Sequence, residues 1–454
     1  MNRQQISLTQ GSIWKAILFF AFPIFLGQVF QQLYNTFDAW CVGYFINDNA
    51  MGAVTSSGSL IFLMVSFFNG LAMGAGVVIA RYYGAKNDDA VSKTIHTAIA
   101  FGLCTGTALT VVGITCTPII LHWMGAPEDT MVYAIPYFRY YFCGAIFTVM
   151  YNIFVGIHHA VGDSKHPLYY LICSTMVNIV LDLLFVGVMG FGVGSAALAT
   201  TISQGISALL CCIHLMRSTG PTRLYLRKIR FHWKNLQEII RYGLPSAIQN
   251  SVIALANVVV QSNIFAFGPD AVNGCGAYSK LEGFAFLPVM CFSQSLSTFT
   301  GQNLGAEQHD RVKKGVGFGI VCSLIMAQIV GLLSYIFAPQ LIGFFAKSEA
   351  AIAYGTQHMR TICLFYGLLA FSHCIAGIMR GAGKATVPMF TMLACWCVIR
   401  VSYITIAVKF APKLTTVSWA YPLTWTLSSV VFLIYFLKAD WIHNFDRQKA
   451  KKAT

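Results

Sequence analysis

The chain has 454 residues, 56% of them hydrophobic and only 10% charged. Soluble chains carry about 25% charged residues, so a soluble globular domain is excluded, and apolar runs of about 20 residues from end to end specify a polytopic α-helical membrane protein. The length of these runs excludes an outer-membrane barrel, whose strands span about 10 residues, and the net charge of +14 is spread over loops rather than gathered into a nucleic-acid-binding surface.

Twelve membrane-spanning helices are expected, over residues 14–40, 52–80, 94–121, 131–156, 168–189, 193–216, 236–266, 274–301, 315–338, 352–378, 386–408 and 415–437. The first has no small-residue cleavage site and reads as a retained helix rather than a signal peptide. Pro23 inside it removes a backbone hydrogen bond and crowds the preceding turn, so it is a natural hinge. Beyond it Gln28, Gln31, Asn35 and Asp38 recur at helical spacing on one stripe. Such a stripe is untenable against lipid; it must face a partner helix or a wet cavity, with Tyr34 and Phe37 as candidate wall residues. An ionised carboxylate in a bilayer core costs a few kcal/mol or more, and such residues are usually functional.

In the fifth span Asn178 and Asp182 are four apart, adjacent on one helix face. Thr200 follows about two turns into the sixth span. The eighth span carries Glu282 with Lys280 two residues before it, a spacing that points the two side chains apart. Arg400 in the eleventh span is therefore its expected ion-pair partner; a substrate-attracting or second coupling carboxylate is the other reading. His373 in the tenth span reads as a hydrogen-bonded packing residue before a titrating switch. The 14 cysteines are scattered, without a CxxC pair, and read as small packing residues. Gly70/Gly74, Gly102/Gly106 and Gly315/Gly319 permit close helix crossings, taken as intramolecular, so a monomer is expected. His158 and His159, near Lys165 and His166, read as part of a basic loop rather than a metal site.

With both termini on one side, that side carries 23 Lys and Arg residues, Lys15 and Arg241 at the span ends included, and the other carries Lys347, Lys409 and Lys413. The positive-inside rule places both termini in the cytoplasm. The halves also repeat. Gly156-Ile157, Gly162 and Pro167 recur as Gly377-Ile378, Gly383 and Pro388, Gly84-Ala85 as Gly305-Ala306, and Arg139 as Arg360, all at an offset of 221; Pro23 recurs as Pro245 with a one-residue slip. Six spans per half give both the same orientation, hence two parallel six-helix repeats. The expected bounds are 1–216 for an N-terminal lobe, 217–235 for a basic linker and 236–454 for a C-terminal lobe. Two lobes joined this way suit rocking of one against the other around a held substrate. At offset 221 Asp38 and Asp182 correspond to Val259 and Tyr403, so the paired carboxylates belong to the first repeat alone.

The span from Pro23 to Asp38, the run Ala80-Arg81-Tyr82-Tyr83-Gly84-Ala85, its partner Gly301-Gln302-Asn303-Leu304-Gly305-Ala306, and Gly377-Ile378-Met379-Arg380-Gly381-Ala382-Gly383 together resemble the multidrug and toxic compound extrusion (MATE) transporters. The resemblance covers nearly the whole chain. It implies an N-lobe and a C-lobe around a central cavity, and secondary active export of amphipathic, often cationic organic compounds across the inner membrane. It implies no cofactor besides a coupling ion. Pro23 and Asp38, 15 residues apart, and Asn178 with Asp182 resemble the prokaryotic DinF-like branch, which implies coupling at these residues. The NorM-like branch relies on acidic residues in helices seven and ten; the polar residues here are Gln249, Asn250, Asn257, Gln261 and His373, with no carboxylate among them.

The chemistry of the residues agrees with such a role. If the faces of spans one and five turn inward, two carboxylates and an amide converge. Desolvation and a neighbouring carboxylate both favour a bound proton, and the Asn178 amide can donate to the ionised form or accept from the protonated one. Thr200 could complete the shell. Sodium could use the same oxygens, so the coupling ion is a proton or sodium. Gly383-Lys384 is no P-loop, because Ala385 stands where Ser or Thr is needed, and no soluble segment is large enough for an ATPase domain. A flippase for lipid-linked sugars is the second reading; it needs a cationic cavity, for which Arg139, Arg360 and Arg400 are the candidates. An intramembrane enzyme is the third; it needs clustered nucleophiles or metal ligands, and no such motif is present, so the chain is not expected to be an enzyme.

Overall fold

The computed structural model describes the backbone of residues 8–46, 48–123 and 128–446, with side chains except at 39, 48–64, 120–123, 128–130 and 133. Arg3 and the basic tail beyond 446 lie outside the described residues, which form helices and turns and no strand. The first repeat runs through α1 (Ile13–Phe45), α2 (Asp48–Gly84), α3 (Asp88–Trp123), α4 (Glu128–Cys143), α5 (Ala145–Ala160), α6 (Lys165–Asp182), which continues as a π-helical segment over Leu183–Val188, and α7 (Gly194–Arg217). The second runs through α8 (Trp233–Phe265), α9 (Pro269–Ala285), α10 (Leu287–Gly305), α11 (His309–Ile336), α12 (Ala338–Gly343), α13 (Glu349–Cys363), α14 (Tyr366–Gly381), α15 (Thr386–Met392), a π-helical Leu393–Ile399, α16 (Arg400–Phe410) and α17 (Leu414–Lys438).

The repeat seen in the sequence returns in the backbone almost residue for residue. α5 spans 145–160 and α14 spans 366–381, an offset of 221 at both ends. Each follows a bend, 49° after α4 and 53° after α13. Gly162 and Gly383 take left-handed φ angles of 87° and 74°. There the N–H of the next residue reaches five residues back, Asp163 to His158 and Lys384 to Met379, which closes the helix end with a Schellman-type bond.

Among the described residues nine helices are long and apolar enough to cross a membrane, or eleven when each bent pair counts as one span. Twelve were expected from the sequence. The stretch read as span eight, 274–301, is divided between α9 and α10 and does not qualify on length and hydropathy. Ser293, Ser295, Ser297, Thr300, Gln302 and Asn303 lower its hydropathy, and all are buried in α10, where packing against protein removes the need for an apolar surface.

Packing divides the described residues into two units, Phe22–Ala247 in one and 8–21 with 248–446 in the other. The changeovers fall beside Pro23 and Pro245, so α1 begins in the second unit and ends in the first, and α8 does the reverse. The sequence bounds at 216 and 236 keep both helices whole. The proline in each helix lifts one backbone hydrogen bond and lets the halves pack separately.

Within the first unit α2 crosses the start of α8 at backbone contact: a Cβ on Gly74 would overlap the backbone of Gly243, and one on Gly70 that of Ala247. The other two glycine pairs also face neighbours in the same chain, Ile153 and Ile146 for Gly102 and Gly106, Phe299 and Leu296 for Gly315 and Gly319. Gly74→Val is expected to destabilise the protein by about 2 kcal/mol or more through overpacking, seen as a lower melting temperature in detergent. Gly192→Ala, with no atom near the added carbon, should leave the melting temperature unchanged. The basic linker is strapped to α3: the Tyr225 N–H donates to His96 Nε2 at 3.1 Å, and Asn235 Nδ2 donates to Thr94 Oγ1 at 2.7 Å.

Candidate functional site

The carboxylates of the first repeat meet. Asp38 comes from α1, Asn178 and Asp182 from α6, and Thr200 from α7, all within the first unit. Thr200 Oγ1 donates to Asp38 Oδ2 at 3.0 Å, and the side chains of Asp182 and Asn178 border the same carboxyl group. The i, i+4 spacing predicted from sequence puts Asn178 and Asp182 on the buried face of α6, both at 0% exposure. The helix widens to its π-helical segment immediately after Asp182, a feature frequent at functional sites.

The polar inventory of this cluster does not balance. Asp38 Oδ1, both oxygens of Asp182 and both amide atoms of Asn178 are buried without a hydrogen bond among the described residues. Leaving a buried polar group unpaired costs about 1–3 kcal/mol, so five such atoms in one place form a costly arrangement. Two carboxyl groups side by side can bond to each other only through a shared proton, and both oxygen sets also suit a cation. The arrangement can therefore take up positive charge.

Tyr34 of α1, with Tyr137 and Tyr141 of α4, stands close enough to sense the charge of Asp38. The α4 pair was not read from the sequence, although its i, i+4 spacing is a visible signal; its rings lie 6.5 Å apart. The polar stripe of α1 does not stay together. Tyr34 is buried beside Asp38, while Gln31 and Asn35 are exposed and Gln28 is half-buried. Phe37 is half-buried and begins an aromatic run along the end of α1, with its ring 5.5 Å from Trp40, which stacks on Tyr44 at 5.3 Å. Pro23 is buried inside a continuous α1.

The second-repeat residues form a different arrangement, and the expected ion pair is not made. Glu282 and Arg400 are electrostatic neighbours, but no salt bridge joins them. Glu282 accepts from the Tyr278 hydroxyl at 3.0 Å. Arg400 donates to Thr424 Oγ1 from Nη2 at 3.0 Å and to Asn257 Oδ1 from Nη1 at 3.4 Å. Its guanidinium lies over Tyr421 at 4.7 Å and Trp396 at 5.3 Å. Two neutral acceptors and two rings contact the guanidinium directly, and the carboxylate acts on it only from a distance. His373 lies edge-on to Phe286 with centroids 4.8 Å apart, and its Nδ1 is 3.2 Å from the Leu369 carbonyl.

Two features escaped the sequence reading. Glu238, on the first turns of α8, is a buried carboxylate that accepts from Arg81 Nη2 and from the Tyr82 hydroxyl, both at 2.7 Å. His158 is no loop residue: it is 1% exposed at the end of α5, next to Asp163 and His214.

Comparison with known proteins follows the same lines. The MatE family model matches twice, over residues 23–184 and 245–406. The probable multidrug resistance protein YoeA of Bacillus subtilis (strain 168) is 28% identical over 397 residues, 86% of each chain. The probable multidrug resistance protein YpnP of the same organism is 26% identical over 394 residues, 86% of this chain and 88% of that one. A solved structure described as the outward-facing conformation of a multidrug resistance MATE family transporter of the MOP superfamily superposes with a TM-score of 0.91 at 23% identity, over 97% of this chain and 99% of that one. That likeness is one of fold.

Proposed function

The chain belongs to the MatE family, and on that premise we propose that it is a secondary active multidrug exporter of the inner membrane. It exchanges an external cation, foremost a proton, for amphipathic and often cationic organic compounds by alternating access. It works as a monomer with both termini in the cytoplasm. Relatives named multidrug resistance proteins support the cargo class. The observation that carries the coupling is the cluster of five unpaired buried polar atoms of Asp38, Asn178 and Asp182, with Thr200 donating into it.

In this reading protons from outside bind the carboxylate pair. The proton supplies the missing bond between Asp38 and Asp182, and the change in charge is passed along α1 to Pro23, where the two halves of the helix pack separately. The substrate leaves, the protein turns inward and the proton is released. The ionised pair then attracts the next cation. A lipid-linked pyrophosphate cargo would need cationic side chains free to meet it, and Arg400 is already committed to Thr424, Asn257 and two rings.

The test is efflux of lipophilic cationic dyes from a drug-sensitised bacterial host at varied external pH and sodium. Wild-type efflux is expected to persist without sodium and to strengthen as the outside is acidified, and Asp182→Asn should lose that response. Efflux that follows sodium alone would make sodium the coupling ion. An unchanged pH response in both Asp38→Asn and Asp182→Asn would remove these residues from coupling.

A further inference from the structure

We propose that His158, Asp163 and His214 form a binding site for a divalent first-row transition cation, with Zn²⁺ the foremost candidate. The site lies in the first unit, where α7 runs into the basic linker. His158 closes α5, Asp163 sits in the following turn held by the left-handed Gly162, and His214 lies on the last turn of α7. One ligand atom from each residue lies within 4.8 Å of the other two. Tetrahedral zinc with bonds of about 2.0–2.1 Å needs ligand atoms about 3.3 Å apart, so small side-chain shifts close the set.

The surrounding bonds point the correct atoms at one another. His158 Nδ1 is 2.8 Å from the Phe154 carbonyl, which can only accept, so the proton is on Nδ1 and the lone pair on Nε2. That Nε2 is buried and has no hydrogen-bond partner among the described residues. His214 Nδ1 is 2.8 Å from the Tyr170 hydroxyl, which leaves its Nε2 toward Asp163, 3.9 Å from Oδ2. Asp163 is oriented in turn by His166, whose Nδ1 is 2.8 Å from Oδ2 and whose backbone N–H donates to Oδ1 at 3.2 Å. Each ligating group thus has an outer partner that fixes its tautomer or its direction, the arrangement expected around a metal. Two imidazoles and one carboxylate suit zinc, cobalt or nickel and disfavour magnesium and calcium, which take all-oxygen shells. The His214 side chain is 26% exposed, which gives a cation a route in from solvent. A bound cation would brace the α5–α6 turn against α7, at the foot of the helix that carries Asn178 and Asp182.

The test uses the full-length protein purified in detergent, stripped with a chelator and freed of any histidine tag. Zn²⁺ is titrated by calorimetry with the melting temperature followed in parallel, and Co²⁺ is used as a visible-absorption probe. Saturable binding of one equivalent, a rise in melting temperature, and a Co²⁺ spectrum of tetrahedral nitrogen and oxygen ligation are expected. His158→Gln and His214→Gln should each weaken binding by at least about tenfold, while His159→Gln should not. If buried His158→Gln fails to fold, His214→Gln, at the more accessible position, carries the comparison. Absence of saturable binding in the wild type, or equal affinity in His214→Gln, would overturn the site and leave the cluster a hydrogen-bonded helix junction.

Discussion

Replacing Asp38 by Asn is expected to stop gradient-driven efflux while leaving the protein folded. The asparagine keeps the size of the aspartate and an oxygen for the Thr200 hydroxyl, and its amide can donate to Asp182, whose two oxygens otherwise have no partner. Folding stability should therefore hold or rise, because a charge that is costly to bury has been replaced by a satisfied neutral group. What is lost is the second carboxyl group with which a proton can be shared. Dye efflux from proteoliposomes under an imposed pH gradient should fall to the level of empty vesicles, with the melting temperature unchanged or higher. Gln31→Ala and Asn35→Ala, on exposed positions of the same helix, should keep the pH dependence. Undiminished efflux in Asp38→Asn would place coupling elsewhere.

Glu238→Ala is expected to have the largest effect on stability. Glu238 and Arg81 are each 11% exposed at the side chain and 2.7 Å apart, and the Tyr82 hydroxyl donates to the same oxygen. Removing one member of a buried pair leaves the other charge without its counter-charge, a loss of about 3–5 kcal/mol. Replacing both, as in Arg81→Met with Glu238→Leu, should recover most of that loss, since burying two apolar groups carries no desolvation cost. Melting temperatures of the two single variants and the double variant, in one detergent, decide the matter. A Glu238→Ala protein as stable as wild type would show that this bond does not anchor α8 to α2.

What the sequence disclosed and what it hid divide along a physical line. Helices, their order and the duplication were legible, because apolar run length and landmark spacing are properties of the chain alone. The shared face of Asn178 and Asp182 was legible for the same reason, since i, i+4 spacing fixes it, whereas Thr200 was only a candidate for the shell, and its bond to Asp38 comes from another helix. Contacts that depend on the register of one helix against another were not. Tyr137 and Tyr141 of α4 come near Asp38 of α1 across sequence, and the His158, Asp163 and His214 cluster joins the end of α5 and the turn after it to the end of α7. Glu238 was passed over because it lies near the expected edge of a span, where carboxylates are unremarked. The direct Glu282–Arg400 ion pair did not form, because opposite charges in one sequence half say nothing of the neutral groups, Thr424, Asn257 and two rings, that the guanidinium contacts instead. The polar stripe of α1 was a sound pattern with a mixed outcome, buried at Asp38 and exposed at Gln31 and Asn35.

The central claim is that Asp38 and Asp182 together hold the coupling proton, and infrared difference spectroscopy tests it without reference to any substrate. Spectra of the purified protein in lipid, taken between alkaline and acidic buffer, report the carbonyl stretch of a protonated carboxyl group in a dry setting. Such a band is expected to appear on acidification in the wild type, to shift in deuterated water, and to be lost in both Asp38→Asn and Asp182→Asn. A wild type without the band, or a band that survives unchanged in both variants, would contradict the account.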